Sequence, residues 1–132
     1  MQLVIDTPAV IAVITNEAQK EALVQATAGA ELVAPASVPW EIGNAFSAML
    51  KRKRIDLAQA TLAMAAFRLI PIRFLNIDLE TALAVAARYD LYAYDAYMIA
   101  CAREQGCPLL TLDRGLVHAA KQANVTVSEV ST

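Results

Sequence analysis

The feature that most limits the fold is a set of short runs that are apolar at consecutive rather than alternate positions. They are Leu3-Val4-Ile5, Leu32-Val33-Ala34 after Glu31, Ile70-Pro71-Ile72-Arg73-Phe74-Leu75, and Leu109-Leu110-Thr111-Leu112. A strand with one wet face alternates; a strand apolar on both sides is covered on both sides. Helical signals separate the runs, and strands alternating with helices argue for a parallel sheet. The sequence therefore predicts an α/β fold: a single domain over 1–132, with a parallel sheet sandwiched by helices. The sheet has four short strands, or five if Val125-Thr126-Val127 adds a last one.

The helix signals are local. Pro8 suits a first helical turn after the run that stops at Asp6. A helix starts near Pro39 or Trp40 and runs to Lys51-Arg52-Lys53-Arg54. Asp56 is a good N-cap for a helix over 57–69, and Asp78 for one over 79–89. Asp95 opens another, which Gly106 ends with Pro108 close behind. A last helix is expected over 113–124.

Composition removes several functions. The apolar fraction of 58% is high, but much of it is alanine, which points to closely packed helices. No stretch of about 18 apolar residues runs without a charge, so no membrane-spanning helix is expected. The first residues carry no basic segment and meet Asp6 at once, so no signal peptide is expected and the location is taken as cytoplasmic. Cys101 and Cys107 lack the spacing of a zinc site and read as buried or half-buried thiols. His118 is the one histidine, which excludes paired-histidine ribonuclease chemistry within one chain, and no serine sits in a nucleophile elbow. His118 itself reads as a helix-surface residue. With a net charge of −2 there is no overall basic field for nucleic acid. The run at 51–54 reads either as a solvated helix end or as a phosphate-contacting patch.

What remains for chemistry is carboxylate. Asp6 and Asp113 each follow a strand, where open parallel sheets bind ligands. Each also stands where an ordinary N-cap stands, although Thr7, just before Pro8, offers an alternative cap that would free Asp6. Glu41 lies in a first turn among apolar residues, with Asn44 one turn on. Asp95 opens a helix of buried character. Singly each acid is weak. Four at strand ends and helix starts form a pattern.

The ordered set Val4-Ile5-Asp6-Thr7, Trp40-Glu41-Ile42-Gly43-Asn44-Ala45, Tyr94-Asp95-Ala96-Tyr97-Met98-Ile99-Ala100 and Leu110-Thr111-Leu112-Asp113 resembles the PIN-domain family. Within it the likeness is nearest to the VapC-type toxins of toxin–antitoxin pairs. The resemblance implies a Mg²⁺- or Mn²⁺-dependent endoribonuclease, usually a homodimer, held inactive by a cognate antitoxin protein. It places Asp6, Glu41, Asp95 and Asp113 on the family's acidic positions, with Thr7 and Asn44 as accessory residues. Many members carry a further Asp where this chain has Gly115, which bears on a second metal site. Such chemistry is hydrolysis of RNA by a metal-activated water. Asp6, Asp95 and Asp113 are expected to hold the metal, directly or through water, with Glu41 completing the set by positioning or deprotonating the attacking water. Products then carry a 5′-phosphate and a 3′-hydroxyl. The alternative is a catalytically silent PIN-like domain that binds RNA or a protein partner. Phosphatase and dinucleotide-binding readings fail: position 8 is Pro8, where a DxD motif needs an acid, and there is no GxGxxG.

Overall fold

The computed structural model describes residues 1–130; the last two residues of the expected 1–132 domain lie outside the described part. The chain runs β1 (Gln2–Ile5), α1 (Thr7–Ile14), α2 (Lys20–Thr27), β2 (Glu31–Pro35), α3 (Val38–Lys51), α4 (Leu57–Leu69) and β3 (Ile72–Leu75). It continues through α5 (Leu79–Tyr89), α6 (Ala93–Gln105), β4 (Leu109–Leu110), α7 (Arg114–Gln122) and β5 (Val127–Ser128). The five strands form one sheet in the order β3-β2-β1-β4-β5, and every pairing is parallel.

The strand chemistry matches the places in the sheet. Leu3, Val4 and Ile5 of central β1, Leu32, Val33 and Ala34 of β2, and both leucines of β4 are buried. β3 is an edge strand, and there Arg73 and Phe74 are exposed, with Arg73 pairing to Glu31 at 3.3 Å. Right-handed crossovers put α1–α4 on one face and α5–α7 on the other. The packing divides in the same way: α1 touches α2, α3 and α4, while α6 lies on α5, β1, β2 and β4.

Several boundaries differ from expectation. The helix after Pro8 stops at Ile14, and α2 is a separate helix; Asn16, with φ of 56°, turns the chain between them. α6 starts at Ala93, so Asp95 lies inside its first turn. β4 ends at Leu110, because Thr111 turns its hydroxyl to Asp6 instead of continuing the ladder. His118 is exposed on α7, Cys101 is buried and Cys107 half-buried. Among the described residues no helix is long and apolar enough to cross a membrane.

Candidate active site

From β1 the chain steps outward to β2 and β3, then returns across the sheet to β4 and β5. The strand order therefore reverses between β1 and β4, and in open parallel sheets the crevice at the carboxyl ends of such a pair is where ligands bind. Asp6 follows β1 directly. Thr111 and Asp113 follow β4.

Asp6 is 1% exposed, and its two oxygens are held separately. Oδ1 accepts from the Ala9 N–H at 3.0 Å, which caps α1. Oδ2 accepts from the Thr111 hydroxyl across the switch point. Asp6 is thus the ordinary N-cap its position suggests, and Thr7, the alternative cap, does not release it. The Thr111 oxygen in turn accepts the Asp113 N–H at 3.0 Å, so one hydroxyl ties both strand-end acids together. Asp113 caps α7, its Oδ1 accepting from Gly115 N at 2.8 Å and Leu116 N at 3.3 Å. At Gly115 a Cβ would stand 3.3 Å from that same oxygen.

Thr7 has a different task. Its hydroxyl donates to Glu41 Oε1 at 3.1 Å, and the Ser37 hydroxyl donates to Glu41 Oε2 at 2.8 Å. Glu41 is half-buried in the first turn of α3, aimed by one residue beside Asp6 and one on its own helix entry. Asn44 is exposed; the polar neighbours of Glu41 are Thr7 and Ser37 instead. Asp95 is half-buried in the first turn of α6, whose N-cap, Tyr92, supplies no side-chain cap.

The charges report which acids share space. Burial pushes the Asp6 carboxyl up to about 6, against the lowering effect of the Thr111 and Ala9 hydrogen bonds, and the charges of Asp113 and Asp95 raise it further. Asp95 is also raised, first by burial and then by the charge of Asp113. Asp6, Asp95 and Asp113 thus form a mutually repelling trio, to which Glu41 is joined through Thr7. All the donors are hard oxygens, the set that suits Mg²⁺ or Mn²⁺, and a cation would relieve the repulsion. As they stand, the side chains converge on one sheet edge without closing into a three-ligand cluster among the described residues. Asp113 Oδ2 and the Asp95 carboxylate are the oxygens least committed to protein hydrogen bonds.

Nothing in the sequence alone marks Thr111 or Ser37 as a partner of these acids. The one available signal was a hydroxyl immediately beyond an apolar strand end, as at Thr111.

The family model described as PIN domain matches residues 3–122. The fold is similar to that in the crystal structure of PAE2754 from Pyrobaculum aerophilum, with a TM-score of 0.73 and 24% sequence identity over 92% of this chain and 81% of that one. No curated protein matches the chain.

Proposed function

The chain belongs to the PIN-domain family, and on that premise we propose that it is a divalent-metal-dependent endoribonuclease acting at the carboxyl edge of β1 and β4. PIN domains are generally nucleases. The observation that carries the reading to this chain is the bridge Asp6–Thr111–Asp113, which fixes two acids over the switch point, with Asp95 near enough to raise the first.

In this reading Asp6, Asp95 and Asp113 would hold Mg²⁺ or Mn²⁺, with Asp6 and Asp113 fixed at the strand ends and the Asp95 carboxylate free of protein hydrogen bonds. The cation, once bound, acidifies water and offsets charge on the phosphate. Thr111 keeps Asp6 ionised by donating to its charged form, against a site that favours the neutral acid. Glu41, clamped at both oxygens by hydroxyls, orients the attacking water and takes its proton. The 2′-hydroxyl of RNA is not a reactant, so products end in a 5′-phosphate and a 3′-hydroxyl. The test is cleavage of single-stranded RNA in EDTA and after Mn²⁺ is restored. Cleavage that returns only with the metal supports the site; cleavage that continues in EDTA removes it.

The open setting of the four side chains favours one other reading, a silent domain that binds RNA or a protein. Calorimetric titration with Mn²⁺ read beside the cleavage assay separates them, since a silent domain cuts no RNA even where its acids take the cation.

We further propose that the chain is the toxin of a type II pair, a homodimer restrained by an antitoxin. Leu57, Leu62 and Leu69 of α4 and, on the other face of the sheet, Leu83 of α5 are all more than half exposed, which offers apolar surface for a partner to cover. Light scattering at micromolar concentration tests the dimer. A neighbouring reading frame for a small DNA-binding protein would support the pairing.

A further inference from the structure

A second concavity lies on the same sheet edge, over β2 and β3 rather than β1 and β4. It encloses about 350 Å³ and is lined by Pro35, Ala36 and Ser37 from the end of β2, Asn76, Ile77 and Leu79 after β3, and Tyr97 of α6. We propose that this cavity takes one unstacked base of a single-stranded RNA and sets the sequence at which the strand is cut. The proposal rests on the nuclease reading and gives it a substrate form.

Position comes first. The Ser37 hydroxyl on the cavity wall donates to Glu41 Oε2 at 2.8 Å, so one side chain separates the cavity from an acid of the site. Tyr97 stands in the same turn of α6 as Asp95 and meets Tyr94 edge to face, with centroids 5.8 Å apart. A base seated here leaves its own phosphate close to the acids.

Lining chemistry decides the occupant. No lysine, arginine or histidine lines the cavity, so it has nothing to hold a phosphate. It offers an aromatic ring, a proline, apolar side chains, the hydroxyls of Ser37 and Tyr97, and one amide. Asn76 is exposed, and an amide presents both a donor and an acceptor, as the edge of a base requires. Sequence-specific reading of RNA uses splayed single-stranded bases stacked on aromatic rings and hydrogen-bonded at their edges. The volume lies at the small end of the roughly 300–1,000 Å³ range of ligand sites, which suits one base and not a paired duplex.

The experiment is binding by fluorescence anisotropy, with Ca²⁺ in place of Mg²⁺ or Mn²⁺. The probe is a labelled RNA octamer in which an abasic ribose is moved along the strand. Wild type should lose about tenfold in affinity when the abasic unit reaches one position, and much less elsewhere. Ala36→Phe, which fills the cavity, and Asn76→Ala, an exposed change, should shrink that single-position penalty. Tyr97→Phe, which keeps the ring, should retain it. A penalty spread evenly along the strand, an unchanged penalty in Ala36→Phe, or no binding of any octamer overturns the proposal. A single-position penalty in a protein that cuts no RNA with Mn²⁺ overturns the nuclease reading and leaves the base site standing.

Discussion

The four acids fall into two pairs that the fold treats differently. Asp6 and Asp113 follow strands, and both cap the helices that come next. Glu41 and Asp95 sit within first turns and cap nothing. The first pair therefore serves the fold and, in the proposed function, the chemistry. The second pair has only the chemistry and a favourable helix dipole to explain it. Capping is a sufficient account of an aspartate at a strand end, and it leaves Asp95 unexplained.

The sharpest test changes charge and keeps shape. Asp6→Asn and Asp95→Asn should each lower single-turnover RNA cleavage in Mn²⁺ by about 10²- to 10³-fold, as loss of transition-state charge stabilisation does elsewhere. Asn caps about as well as Asp, so Asp6→Asn should keep α1. Near wild-type rates in both variants would leave Asp6 a cap alone and Asp95 without a task, and end the comparison.

Next in size is a pH effect that is largest on the strand-end side, with Asp95 adding to it in the same direction. Burial raises Asp6 from 3.8 to about 6, so between these values the folded chain keeps a proton that the unfolded chain has released. The Asp6 contribution to metal-free stability is full below pH about 4 and should fall by up to about 3 kcal/mol as pH rises through about 6. Urea unfolding in EDTA across that range measures it. In Asp6→Asn the slope should flatten; an equal slope in the variant would place its origin elsewhere.

Alanine separates the pairs by their structural work. Asp113→Ala removes the cap on Gly115 N and Leu116 N and should cost about 1 kcal/mol in metal-free thermal unfolding. Asp95→Ala removes a carboxylate raised by its surroundings and should cost nothing or stabilise slightly. Equal losses would erase the distinction.

The smallest effect belongs to the hydroxyls around Glu41. Thr7→Val and Ser37→Ala each free one carboxylate oxygen and should slow cleavage several-fold, with the double variant departing from the sum of the two in free energy because both hydroxyls share Glu41. Stability should change by no more than about 1 kcal/mol in each.

Much of the fold could be read from the chain because its signals are local. α4 and α5 lie where Asp56 and Asp78 announce them, each with a side-chain cap on the third residue beyond. α6 was misplaced by two residues because Tyr92 caps it without a side-chain bond. The break after α1 gave no sign, since Asn16 takes the left-handed turn that glycine usually marks. At the site, the acids stood out by position, while the partners that organise them did not. Thr111 reaches Asp6 across 105 residues, and Thr7 reaches Glu41 across 34. Periodicity and capping rules describe neighbours within a turn or two, so a hydroxyl with so distant a partner reads as any other threonine.

That long separation has a consequence for synthesis. A chain leaves the ribosome amino end first, and β1, β2 and Glu41 emerge well before β4. Until Thr111 is out, Asp6 has no hydroxyl to hold its charge, and until Asp113 is out the trio is incomplete. Chains arrested before Leu109 should cut no RNA. The proposed nuclease is thus silent on the RNA-built machine that makes it until its fourth strand has emerged.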